Sequence, residues 1–295
     1  MRLFKGSGVA LVTPFLGDDI NFDVLRSLIL WHIQEKTDAI IVFGTTGESA
    51  TLSMDEKKAI VKFAVEVADH RIQIIVGSGS NHTRDSIVLS KYAESVGADG
   101  LLLVTPYYNK PTQRGLYAHF KAIAESVSIP IILYNVPSRT GINLLPETVA
   151  ELAQINNIEA IKEASGDVSQ IAKVIELCPK DFITYSGNDD QTIPVLALGG
   201  LGVISVTANI IPRRIHDLVM HYLSGSQEAI TDAHDLRALH QVMFIESNPV
   251  PVKAAMNLMG FNVGSVRLPL VELELKHFNE LKTVLTKYHV IGEKS

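Results

Sequence analysis

Cysteine is almost missing from this chain: Cys178 is the only one among 295 residues. No intrachain disulfide can form, and nothing calls for an oxidising compartment. Long apolar runs are missing too, since none approaches the ~20 residues that a membrane-spanning helix requires. Near the start, Arg2 and Lys5 precede a short apolar run, Val9 to Val12, that stops at Pro14. That run is too short and wrongly bounded for a signal peptide, so the expected location is the cytoplasm. Basic charge is not in excess, with 26 Lys and Arg against 32 Asp and Glu and a net charge of −6. The two signs are mixed along the chain, which argues against a nucleic-acid or anionic-membrane surface. The ten histidines are scattered without His-x-His or His-Glu-x-x-His, so no metal site is expected. His216 and His221 read as ordinary surface residues of a helix. Gly77-Ser78-Gly79 lacks the third glycine of a dinucleotide fingerprint, and no cofactor is expected.

What is present is a well-packed globular composition, 46% apolar and 20% charged, on a chain long enough for a large core. Eight short apolar segments read as strands: 8–13, 39–43, 72–77, 100–105, 129–135, 159–163, 182–186 and 203–207. Their starts are separated by roughly 20 to 35 residues, the size of a βα unit. Most lack clean alternation, as parallel strands covered on both faces do. Helical periodicity fills the gaps at 24–34, 55–68, 84–95, 113–127, 146–153, 170–177, 192–198 and 212–223. Eight unbroken alternations predict a closed parallel (β/α)8 barrel, the TIM barrel, with a doubly wound sheet as the alternative. Three further helical segments follow, 227–244, 251–259 and 269–289. The expected division is a catalytic barrel over residues 1–225 and a helical extension over 226–295.

In such a barrel, chemistry sits where the strands end. The second strand delivers Gly44-Thr45-Thr46-Gly47-Glu48, the fourth Thr105-Pro106-Tyr107-Tyr108-Asn109, and the fifth Tyr134 through Gly141. The sixth delivers Lys162-Glu163-Ala164-Ser165. Alternation places Ile158, Ala160 and Lys162 on one face of the sixth strand. If that face points inward, an ammonium lies in an apolar barrel, where burial is costly unless it is paired or deprotonated. Bringing a lysine from pKa ~10.4 to ~7–8 takes about 4 kcal/mol, which desolvation and nearby dipoles can supply. The neutral amine can then attack a ketone to form an imine. Snorkelling to the surface is the more common fate of a lysine taken alone. Tyr134 shifts the balance, because it ends the neighbouring strand and its phenol can shuttle protons. A core tyrosine with a satisfied hydroxyl is the bland alternative. Thr45 and Thr46 offer hydroxyls and close backbone N–H groups, a cradle for a small carboxylate, or an ordinary turn. Arg139 can clamp a second carboxylate with two parallel hydrogen bonds, or be a solvated loop arginine.

Residues 44–52, 104–109, 134–141 and 161–164 resemble the dihydrodipicolinate synthase family in order and spacing, as does Pro249-Val250-Pro251-Val252-Lys253 near the end. The likeness runs over nearly the whole chain. It implies condensation of pyruvate with L-aspartate 4-semialdehyde, entering diaminopimelate and lysine biosynthesis, by a homotetramer built as a dimer of dimers. It implies that Lys162 carries the Schiff base. Thr45, Tyr134 and Tyr108 would form a proton relay, with Tyr108 reaching the neighbouring subunit's site. Thr46 would hold the pyruvate carboxylate, Arg139 the semialdehyde carboxylate, and Ile204 and Gly187 would line the substrate pocket. N-acetylneuraminate lyase and 2-keto-3-deoxy-sugar acid aldolases share the lysine, the tyrosine and the threonine loop, and a non-catalytic keto-acid-binding barrel is the alternative of another class. Ser138-Arg139-Thr140 suits a small charged aldehyde better than a sugar.

The resemblance also implies a lysine effector site, matched or nearly matched here by Ser49, Ala50, Asn81, Asp85 and Tyr107. Met54 and Lys57 stand where lysine-sensitive relatives often carry histidine. An ammonium at residue 57 can only donate and repels the cationic groups of lysine, so feedback inhibition is expected to be weak or absent.

Overall fold

The computed structural model describes residues 2–292. Eight strands form the barrel: β1 (Gly6–Ala10), β2 (Ala39–Val42), β3 (Gln73–Gly77), β4 (Gly100–Val104), β5 (Ile131–Asn135), β6 (Ile158–Glu163), β7 (Ile183–Ser186) and β8 (Gly202–Ser205). All pair in parallel, and β1 closes the ring by pairing with both β8 and β2. Strands such as β2 (Ala-Ile-Ile-Val) and β5 (Ile-Ile-Leu-Tyr-Asn) are buried throughout, because side chains on both faces meet apolar neighbours. The expected closed barrel is therefore the observed one, with strand ends displaced by one to three residues.

The helices are α1 (Phe22–Gln34), α2 (Met54–Ala68), α3 (Thr83–Ser95), α4 (Gln113–Ala124), α5 (Pro137–Thr140), α6 (Pro146–Leu152), α7 (Val168–Leu177), α8 (Thr192–Ala197) and α9 (Pro212–Leu223). Local chemistry starts several of them. Ser53 and Glu56 form a reciprocal capping box on α2. The Asp167 carboxylate accepts from the Ser169 and Gln170 N–H groups and so opens α7 two residues earlier than expected. His216 on α9 is not an ordinary surface residue. Its Nδ1 lies 2.8 Å from Asp38, which also accepts from the Ser7 N–H at 2.7 Å and so ties α9 to the start of β1 and β2.

Two apolar cores result. One fills the layer between strands and helices, and the other fills the barrel itself, with Ala10, Ile41, Ile75, Leu102, Ile132, Ala160, Tyr185 and Ile204 among its members. The face assigned to Ile158 is corrected by this division. Register shifts between Ile131 and Ile132, so Ile131 pairs with Ile158 while Ile132 pairs with Ala160. The extra residue turns Ile158 into the outer core and leaves Ala160 in the inner one. Beyond the irregularity the strands stay in step, and Tyr134 pairs with Lys162.

Three helices follow the barrel, α10 (Glu228–Val242), α11 (Val250–Leu258) and α12 (Leu275–Lys287). The last begins six residues later than Pro269, where the sequence suggested. Residues 265 and 267, ahead of it, are held by distant groups: the Ser265 carbonyl accepts from Lys253, and the Arg267 N–H donates to Glu48. The Glu48 and Lys253 side chains are 1% and 2% exposed, with Nζ 2.8 Å from Oε1. Lys253 also lies 4.1 Å from the centroid of Phe15, in the small hairpin (Phe15–Leu16 with Asp19–Ile20) that follows β1. Burial lowers the Lys253 pKa and the Glu48 carboxylate pulls it back up. This pair fastens α11 to the loop after β2. Removing one partner of a buried pair leaves an uncompensated charge, so Lys253→Met should cost about 3–5 kcal/mol in chemical denaturation. A loss under about 1 kcal/mol would mean the pair carries no such weight.

Candidate active site

The carboxyl ends of β2 to β5 open onto a cleft of about 700 Å³, closed on one side by residues 247–249 and 269–270 of the C-terminal region. Thr45, Tyr134 and Arg139 line it. So do Ser49, Ala50, Asn81, Asp85 and Tyr107, so the residues expected to form a separate effector site share one continuous cleft with them.

Tyr134, which lines the cleft, is 6% exposed, and Lys162, 4% exposed, is not itself among the residues that line it. Their backbones are direct register partners, and the Lys162 Nζ lies 4.4 Å from the Tyr134 ring centroid. A cation over an aromatic face is attracted by its quadrupole. Among the described residues no carboxylate oxygen lies within 4.0 Å of that ammonium. A lysine this deep without an acid partner is rare, and the snorkelling alternative does not fit it.

The opposite face of β6 explains how the lysine is held. Glu163 is fully buried and accepts from the Asn135 amide at 3.2 Å, the Ser165 N–H at 2.7 Å and Gln170 at 3.2 Å. Burial pushes its carboxyl upward, and these donors pull it back. Asn135 and Glu163 are themselves register partners, so β5 and β6 are stitched one residue beyond Tyr134 and Lys162. Gly187 donates to the Glu163 carbonyl at 2.7 Å, and a Cβ there would come within 2.6 Å of the Ala164 Cβ. Only glycine allows that approach. Ile204 is fully buried in the barrel core together with Tyr134.

The loop after β2 turns through a short 3-10 segment, Thr45–Gly47, and Glu48 follows at φ 53°, a left-handed conformation strained for a non-glycine residue. Its ion pair with Lys253 holds it there. Thr46 is 1% exposed, and its hydroxyl accepts from the Asn248 amide at 3.0 Å. Arg139, on α5, donates to the Asn248 carbonyl at 3.4 Å and lines the cleft. Sequence reasoning missed Asn248. The only signal for it was its place just before the Pro249–Lys253 run.

Tyr108 is not brought together with the others. It is 89% exposed, sits at φ 70° and lies outside the cleft. Lys57, which also lines the cleft, is half-buried; burial lowers its pKa, and Asp85 followed by Glu56 raises it. Asp85 is also 2.9 Å from the His82 ring. No cluster of three or more His, Cys, Asp or Glu able to hold a metal occurs among the described residues.

Comparison with known proteins identifies the family. Residues 3–288 match the model of the dihydrodipicolinate synthetase family. The 4-hydroxy-tetrahydrodipicolinate synthase of Thermoanaerobacter sp. (strain X514) is 56% identical, over 99% of each chain. A synthase of the same name from Clostridium acetobutylicum is 53% identical, over 99% of this chain and all of its own. The crystal structure of dihydrodipicolinate synthase from Aquifex aeolicus superposes with a TM-score of 0.97 at 44% identity, covering 99% of this chain and 100% of the other. By family match, by sequence and by fold, the chain belongs to the dihydrodipicolinate synthetase family.

Proposed function

We propose that Lys162 forms an imine with pyruvate, and that this covalent intermediate condenses with L-aspartate 4-semialdehyde. The overall reaction is the family's: this lyase makes 4-hydroxy-tetrahydrodipicolinate, the first committed step toward diaminopimelate and lysine. The observation that carries the imine assignment is the buried, acid-free Lys162 facing Tyr134. Its amine attacks the keto carbon and water leaves; loss of a methyl proton then gives an enamine that attacks the aldehyde carbon. Each of those steps moves a proton, and in this scheme Tyr134 and Thr45, which both line the cleft, carry it. No metal or organic cofactor enters this route.

Thr46 holds the keto-acid carboxylate in this scheme, and Gly187 and Ile204 shape the wall behind it. Arg139 receives the semialdehyde carboxylate at the cleft. Tyr108, exposed on its loop, completes the relay of a second subunit, which requires a dimer and fits a homotetramer made of two dimers. Residues 1–225 then act as the catalytic barrel and residues 226–295 as the extension that braces it. No helix among the described residues is long and apolar enough to cross a membrane.

Two expectations follow. Arg139→Ala should raise KM for the semialdehyde at least tenfold, since hydrogen bonds to a charged group are worth ~1.5–3 kcal/mol, and leave pyruvate imine formation intact. Steady-state kinetics with each substrate varied checks this, and equal damage to both substrates would contradict it. Free lysine should inhibit only above millimolar concentration. Asp85 is already engaged by His82, and Lys57 brings a like charge, which at ~6 Å costs about 2–3 kcal/mol at an effective dielectric near 20. Half-inhibition at sub-millimolar lysine would contradict that reading.

A further inference from the structure

We infer that Asn248, outside the barrel, is a positioning residue that fixes which way the Thr46 hydroxyl donates and thereby sets affinity for the keto-acid carboxylate. The inference rests on the assignment of Thr46 to that carboxylate.

The argument is one of donors and acceptors. Asn248 is 5% exposed and lines the cleft. Its amide nitrogen donates to the Thr46 oxygen at 3.0 Å, while its Oδ1 is buried without a partner among the described residues. Turned the other way, the amide would leave a buried N–H group unpaired, and orphaned donors are rarer than under-satisfied carbonyl oxygens. The observed orientation is therefore the cheaper one. A hydroxyl has one hydrogen and two lone pairs. With a lone pair taken by Asn248, the Thr46 proton is free to be given away, and a carboxylate is the acceptor that gains most from it. The reverse amide would take that proton and present lone pairs to an anion.

Asn248 is well placed to hold this direction. It stands two residues before α11, whose Lys253 grips Glu48 at the end of the same loop. The loop that carries Thr46 is thus pinned at two points by one short stretch of the extension. The backbone carbonyl of Asn248 meanwhile accepts from Arg139 at 3.4 Å. One residue touches both groups assigned to bind substrate carboxylates, and only its side chain acts on Thr46.

The test is a double-mutant cycle read in KM for pyruvate, with kcat and thermal stability measured alongside. Asn248→Ala should raise KM for pyruvate about fivefold to tenfold, the worth of one neutral hydrogen bond, with kcat changed less than threefold. The isosteric Asn248→Asp keeps the shape but can only accept when ionised, so its effect should be larger, about thirtyfold or more. In a Thr46→Val background, Asn248→Ala should add less than twofold, because its target hydroxyl is gone. If Asn248→Ala costs the same factor in both backgrounds, or if Asn248→Asp binds pyruvate like wild type, the inference is overturned. If Thr46→Val alone leaves KM for pyruvate unchanged, the assignment of Thr46 fails, and the inference fails with it by a separate route.

Discussion

The pairing of β5 with β6 is the constraint on which this site depends. Parallel neighbours lie ~4.8 Å apart, so two side chains in register on the same face are forced into contact. Here those side chains are Tyr134 and Lys162, and the face is the inner one. The Asn135–Glu163 bond on the opposite face keeps the strands from slipping beside them. A slip of one residue would turn every side chain to the other face and place Lys162 in the outer apolar layer. Glu163 thus acts on the lysine through the backbone, without touching it.

A second requirement is that the threonine loop keep its shape. Glu48 adopts a left-handed conformation of the kind that costs of order 1–3 kcal/mol. The surroundings over-determine it: Lys253 at one carboxylate oxygen, the Arg267 N–H at 2.9 Å from the other, and Phe15 packed beneath both cations. Segments remote in sequence therefore hold the loop that carries Thr45 and Thr46. The extension belongs to the site as much as to the fold, and the cleft would lack one wall without residues 247–249 and 269–270.

Much of this was legible in the sequence. The eight βα alternations, the strand-end positions of Thr45, Tyr134 and Lys162, and the three late helices all follow from periodicity and punctuation. The face of Ile158 did not, because a β-bulge leaves no mark in a run of apolar residues. The role of Asn248 did not either, since its partners Thr46 and Arg139 are 202 and 109 residues away. His216 looked like a surface residue because its partner, Asp38, lies 178 positions earlier. Helix 275–287 starts late beside another long-range contact: the Glu274 N–H donates to the Glu246 carboxylate, 28 residues earlier, which local propensity cannot express. Local signals reveal elements and candidates, whereas long-range polar contacts decide which candidates are held in place.

The account stands or falls on Lys162. Incubation with pyruvate and sodium borohydride, followed by peptide mapping, should find one irreversible adduct per chain, on the peptide that carries Lys162. An adduct on another lysine, such as the buried Lys253, or no adduct at all, would contradict it.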